Sequence, residues 1–227
     1  MKNSLADRVA DVENALAEAA ESADRSVDSV KLVAVSKTHP ATAIRAAAGL
    51  GLKIFGENKV QEAEIKINEL GRGFAEWHLI GHLQSNKARK AVALFDIIHS
   101  LDSRELAERL DRICEETGRD LLGVLIQVDL GGESTKNGAP VAALPEIVEA
   151  VRGSRHLKLL GLMTLPPYFD DPERVRPFFR RLRELRDEFV PDGELSMGMS
   201  HDFEVAIAEG ATFVRIGTAI FGDRDYK

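Results

Sequence analysis

The feature that most narrows the possible folds is an alternation of strand and helix patterns that repeats from residue 31 to residue 216. Short apolar runs at 31–36, 53–56, 77–80, 96–100, 123–129, 157–163, 195–197 and 211–216 read as strands. Between them the period changes to that of helices, over 41–48, 60–70, 86–94, 102–118, 144–151, 172–189 and 202–209. Pro40 at a helix start, Gly49 past its end, and Asp102 as an N-cap with Glu105 three residues on, mark boundaries. Strands that are apolar on both faces belong to a parallel sheet covered on both sides. Eight of them, each followed by a helix except the last, predict an α/β fold, a single closed (β/α)₈ TIM barrel. An open doubly wound sheet rarely needs eight evenly spaced units. Residues 1–22 carry Leu5, Val9, Val12 and Leu16 at helical spacing, an extra N-terminal helix expected to pack on the barrel. No low-complexity linker interrupts the chain, and eleven residues beyond Ile216 leave little room for more, so residues 1–227 read as one domain.

Composition narrows the function. The formal charge of −7 argues against nucleic acid or an anionic membrane as partner. No apolar run approaches the ~20 residues of a membrane span, and the N-terminus carries no secretory pattern, so a cytoplasmic protein is expected, or one of an organelle matrix if a transit segment has been trimmed. One cysteine, Cys114, leaves no disulfide framework and reads as a packing residue. His78 and His82 straddle a strand end and a glycine instead of sharing a helix face, so no metal site is predicted. The arginine-rich stretch 176–186 reads as a solvated helix face, with Arg180 and Glu184 as an i,i+4 pair. The glycine-rich loop 131–138 lacks the P-loop ending; its Lys136 reads as a solvated loop residue or as a second lysine near the barrel mouth.

Three clusters fall where barrels carry their chemistry, at the C-terminal ends of strands. Lys37 follows the first strand directly. A partly desolvated amine there loses basicity and can attack an aldehyde, although on position alone a solvated loop lysine fits as well. Gly217-Thr218, just past the last strand, offers backbone N–H groups with no large side chain in the way, the pattern of a barrel phosphate site. Ser200, after the seventh strand, can donate its hydroxyl to the same phosphate or act as an N-cap. Barrel closure sets these ends beside the first strand. Arg215 sits among Phe213, Val214 and Ile216, so its guanidinium needs a partner, either an acid or a ligand.

Longer motifs go further. Segments 34–37 (AVSK), 55–62 (FGENKVQE), 77–87 (WHLIGHLQSNK), 161–164 (GLMT), 195–202 (LSMGMSHD) and 214–222 (VRIGTAIFG) resemble the pyridoxal phosphate homeostasis protein family, related to the N-terminal barrel of alanine racemase. The resemblance covers essentially the whole chain after the N-terminal helix. It implies pyridoxal 5′-phosphate as cofactor, held as a Schiff base on Lys37, with its phosphate on Ser200 and the Gly217-Thr218 backbone. It also implies that Arg215 lies near the pyridine nitrogen, where a permanent cation disfavours protonation and weakens the electron sink. Asn58 is expected near the ring, with His78 and Met163 lining the pocket.

Two functions of different class remain. One is a carrier that buffers the cofactor and supplies it to apo-enzymes in transient contact, as a monomer or weak associate. The other is a pyridoxal phosphate-dependent amino-acid racemase or decarboxylase. The resemblance implies that racemisation needs an acid/base on the ring face opposite the lysine, which in alanine racemase is a tyrosine from a second domain. Here the tyrosines are Tyr168 and Tyr226. An open site on one domain favours the carrier.

Overall fold

In the computed structural model residues 4–132 and 137–222 are described, so Lys136 and Tyr226 lie outside the described residues. The strands are β1 (Lys31–Val35), β2 (Ile54–Glu57), β3 (Glu76–Leu79), β4 (Ile97–Leu101), β5 (Leu122–Asp129), the two-residue β6 (Ala139–Pro140), β7 (Leu157–Met163), β8 (Glu194–Met199) and β9 (Phe213–Ile216). The helices are α1 (Leu5–Ser22), α2 (Ala41–Ala48), α3 (Val60–Leu70), α4 (Ala88–Leu94), α5 (Arg104–Thr117), α6 (Leu144–Gly153), α7 (Arg176–Phe189), α8 (Phe203–Ala208) and α9 (Thr218–Phe221). All strand pairings are parallel. The order β1-β2-β3-β4-β5-β7-β8-β9 returns to β1, so the sheet closes into the expected (β/α)₈ barrel, with β6 hung on the end of β5.

Side-chain alternation along the strands divides the interior into two cores. Residues pointing outward, such as Ala34, Phe55, Trp77, Leu79, Ile98, Val124, Leu162, Val214 and Ile216, pack under the helices. Those pointing inward, including Val33, Val35, Ile80, Leu125, Met163 and Phe213, fill the barrel. The period of two along a strand accounts for this division, and it carries the polar residues His78, His99, Ser196 and Arg215 into the barrel with them.

The N-terminal helix has a clearer role than an added cover. Helices α2 to α8 follow successive strands, and α1 packs against α8, α9 and α2, filling the remaining place in the outer ring. Ser4 starts it with a capping box: its Oγ accepts the Asp7 N–H at 3.1 Å, while its own N–H donates to Asp7 Oδ2 at 2.9 Å. Val9, Val12, Leu16 and Ala20 form the buried stripe. Arg8 Nε donates to the Ile220 carbonyl at 2.7 Å, tying the helix to α9.

Several local expectations needed correction. β4 runs on to Leu101, which delays the next helix: α5 is capped by Ser103, whose Oγ accepts the Leu106 N–H at 3.3 Å, and not by Asp102. Asp102 faces His82 Nδ1 at 3.3 Å instead. Glu184 pairs with Arg181, because the buried carboxylate of Glu209 draws Arg180 away, together with Arg176 and Arg183. The last strand is also followed by a helix, the single turn of α9. Cys114 is buried, as a packing residue would be. No described helix is long and apolar enough to cross a membrane.

If α1 belongs to the ring, Leu16→Ala should destabilise the whole fold by about 2–5 kcal/mol, the usual range for truncating a buried leucine. Urea unfolding followed by both far-ultraviolet dichroism and tryptophan fluorescence checks this. Coincident transitions shifted to lower urea are expected; an unshifted fluorescence transition would mean that α1 is an appendage.

Candidate functional site

A cleft of about 300 Å³ opens at the C-terminal ends of the strands. Lys37, Asn58, Ser200, Arg215, Gly217 and Thr218 line it together, joined by Val35, Ile80 and Leu165 as apolar wall. His78 and Met163 are not among the lining residues: both are fully buried inside the barrel. Ile80 and Arg215, which also point into the barrel, do reach the cleft lining.

Lys37 is half-buried just past β1, on a segment held by a buried polar cluster. Lys66 Nζ, reaching in from α3, donates to the Ser36 carbonyl at 2.8 Å and to Glu57 Oε1 and Glu62 Oε1 at 2.7 Å each. Ser36 Oγ donates to Glu57 Oε1 at 2.6 Å. Glu62 also accepts the Thr38 N–H, which secures a residue in the left-handed region, at φ 69°. Burial pushes the Glu57 carboxyl pKa up, and the Lys66 ammonium opposes that rise. This cluster fixes the backbone on both sides of Lys37.

Asn58 is fixed by a close approach. A Cβ at Gly81 would lie 2.2 Å from the Asn58 carbonyl oxygen, so only glycine lets the β3–α4 connection pass beneath it. Gly217 is constrained too, since a Cβ there would press on the Val35 carbonyl at 3.2 Å. The Gly217 and Thr218 N–H groups make no hydrogen bond among the described residues, and Ser200 Oγ accepts the Ala219 N–H only at 3.5 Å. Ser200 is therefore not a helix cap; Asp202 occupies the N-cap position of α8. The result is a small group of available donors with no acidic side chain in the lining.

Arg215 is 3% exposed. Its Nη1 donates to Ser196 Oγ at 2.7 Å and its Nη2 to the Thr164 carbonyl at 2.9 Å. Burial lowers its pKa to about 10, against the pull of Asp202, which leaves it a cation at neutral pH. Its hydrogen-bond partners are thus a hydroxyl and a backbone carbonyl, and the guanidinium keeps further N–H donors on the cleft floor.

Sequence reasoning missed part of the rim. His39 lines the cleft and stacks on Phe221 at 4.9 Å, and the Tyr168 ring lies 5.3 Å from His201. His201 follows Ser200 directly, which was the available signal; Tyr168 comes from the β7–α7 loop, whose path no local pattern dictates. An amine, an apolar slot, an anion cradle and a buried cation together suit a flat, anionic aldehyde.

Comparison with known proteins agrees in extent and kind. The family model for the alanine racemase N-terminal domain matches residues 12–225. The chain is 46% identical over 225 residues to the pyridoxal phosphate homeostasis protein of Aquifex aeolicus, covering 97% of this chain and 98% of that one. PipY of Synechococcus elongatus, solved with pyridoxal phosphate bound, is 42% identical with a TM-score of 0.83, covering 96% of this chain and 100% of PipY. Alanine racemase from Corynebacterium glutamicum, 20% identical with a TM-score of 0.67 and 61% of its chain covered, shares the fold.

The buried cluster behind Lys37 gives a test. Lys66→Met strands the Glu57 carboxylate, and a loss of about 3–5 kcal/mol is expected at pH 7. The folded-state pKa of Glu57 then rises further above its unfolded value, so stability should return as pH falls toward about 5 and drop as pH rises. Urea midpoints measured across pH check this; a loss independent of pH would show that Lys66 acts by packing alone.

Proposed function

Because the chain belongs to the pyridoxal phosphate homeostasis proteins, within the family that shares the alanine racemase N-terminal domain, we propose that it binds pyridoxal 5′-phosphate through Lys37 and holds it in reserve for other enzymes. The observation that carries this reading is one cleft lined by Lys37, the Ser200–Gly217–Thr218 donors and the Arg215 cation. The donor set fits the cofactor. Available N–H and hydroxyl groups suit a phosphate, the glycine at 217 lets the backbone that carries two of them pass close against Val35, and apolar Val35, Ile80 and Leu165 suit an aromatic ring. When bound, the cofactor supplies an aldehyde that condenses reversibly with a primary amine.

The chain's own residues then divide the work. Lys37 Nζ is the point of attachment, held by the Glu57–Lys66–Glu62 cluster. Ser200, Gly217 and Thr218 orient the anionic end, and Asn58 the ring. Arg215 meets the pyridine nitrogen as a donor that stays charged, which keeps a proton off that nitrogen and makes the cofactor a poor electron sink. His78 and Met163 support the site from inside the barrel. Tyr168, the tyrosine of the cleft rim, is 72% exposed and so poorly placed to hold a proton out of reach of water. All these features favour loading and release over turnover. The protein acts as a single-domain cytoplasmic monomer that meets apo-enzymes transiently.

The test is the visible absorbance of the purified protein mixed with pyridoxal phosphate, before and after borohydride, beside Lys37→Ala. A visible band in the wild type that borohydride bleaches while leaving the cofactor covalently attached to the protein, and neither in the variant, is expected; no such band or attachment in the wild type would overturn the binding assignment. Incubation of the loaded protein with amino acids is expected to give no multiple turnover. Sustained racemisation or decarboxylation, abolished in Lys37→Ala, would instead establish the enzyme reading.

A further inference from the structure

Inside the barrel a continuous line of hydrogen bonds runs from the cleft floor to the opposite mouth. Arg215 Nη1 donates to Ser196 Oγ at 2.7 Å. Ser196 Oγ lies 2.8 Å from His99 Nδ1, His99 Nε2 lies 2.9 Å from His78 Nδ1, and His78 Nε2 lies 2.9 Å from Glu76 Oε1. Ser196, His99 and His78 are fully buried, whereas the Glu76 side chain, at the N-terminal end of β3, is 46% exposed. Strand alternation places these groups, because His78 on β3, His99 on β4, Ser196 on β8 and Arg215 on β9 all point inward.

Chemistry sets both ends of the line, since a guanidinium only donates and a carboxylate only accepts. Ser196 Oγ accepts from Arg215, and its own proton can turn toward His99 Nδ1. His99 then carries its proton on Nε2 and gives that bond to His78 Nδ1. His78 in turn carries its proton on Nε2 and donates to Glu76, a carboxylate that only accepts. In this arrangement each bond has one donor, and the line begins at a cation and ends at an anion. Burial holds the His99 pKa well below its usual value, with His78 and Arg215 reinforcing it, and the bond from His78 lowers that of Glu76. Phe213 packs edge-on against both imidazoles, with ring centres at 5.6 and 5.4 Å, and holds their planes.

We propose that His99 is the positioning residue of the cofactor site: with Ser196 it fixes the Arg215 guanidinium on the cleft floor, and through His78 it links that cation to the Glu76 carboxylate at the far mouth of the barrel. Asp202 also favours the cation, but its Oδ1 accepts the Met199 N–H and it makes no hydrogen bond to Arg215 among the described residues. The consequence is a cleft whose electrostatics depend on a residue outside it. The effect on bound cofactor rests on the function proposed above; the relay itself does not.

Both parts are tested with Glu76→Gln, which is half-exposed and lies far from the cleft lining, and with His99→Gln as the central variant. Nitrogen-15 NMR of the histidines in the protein without added cofactor should show His99 as a neutral ring protonated on Nε2 and His78 protonated on Nε2. In Glu76→Gln the Arg215 side-chain N–H protons should exchange faster with solvent and the His99 nitrogen shifts should move. With pyridoxal phosphate added, both variants should still be trapped on Lys37 by borohydride. The absorbance maximum should shift and binding weaken on the order of tenfold, the effect of losing a hydrogen bond to a charged group. An Nδ1-protonated or charged His99, or a Glu76→Gln protein with wild-type histidine shifts, Arg215 exchange and cofactor spectrum, would overturn the relay. Failure of borohydride trapping in the wild type would instead count against the proposed function alone.

Discussion

The closure of β9 onto β1 is the constraint on which the rest of the structure depends. Lys31 to Ala34 pair in register with Phe213 to Ile216, and that register brings the chain just past β1 beside the chain just past β9. Lys37 and Gly217-Thr218 are far apart in sequence and become neighbours only through this pairing. A slip of one residue would turn Arg215 out among the helices and Val214 into the barrel. The site and the closure are therefore one structural event, and a partly folded chain with an open sheet has no cleft.

Polar groups then sit where an apolar barrel would have been simpler to stabilise. The cluster of Glu57, Lys66, Ser36 and Glu62 and the line from Arg215 to Glu76 both remove charge from water, a substantial desolvation cost that their hydrogen bonds offset, with Glu57 Oε2 left without a hydrogen-bond partner among the described residues. Each set grips one element of the cleft. The first holds the backbone around Lys37, including the left-handed Thr38; the second holds the Arg215 guanidinium. A site that must keep one aldehyde in one orientation gains from supports that have a single satisfactory arrangement.

Much of the fold was legible because the strand runs are short, apolar and evenly spaced. α2, α3 and β7 fall at the residues read from the sequence, where proline, glycine and apolar period agree. The failures have physical causes that lie outside local pattern. Asp102 looks like a cap until β4 lengthens by a residue and passes that role to Ser103. Arg180 looks like the partner of Glu184 until the buried Glu209, brought in from the end of α8, competes for it. Lys37, Ser200, Arg215 and Gly217-Thr218 were legible because strand ends in a barrel converge. His78 lies in another of the family motifs, at 77–87, yet strand alternation sets it inside the barrel. Ser196, His99 and Glu76 carried no signal, since only barrel closure brings four strands into one line.

The central claim is that one cleft holds the cofactor at both ends, the amine of Lys37 at one and the Ser200–Gly217–Thr218 donors at the other. A crystal structure of the protein grown with pyridoxal 5′-phosphate tests it most directly. The expected result is density continuous with Lys37 Nζ and a phosphate against Ser200 and the Gly217 and Thr218 N–H groups, with Arg215 at the ring nitrogen. Density joined to another lysine, or a phosphate lying outside this cradle, would contradict the account.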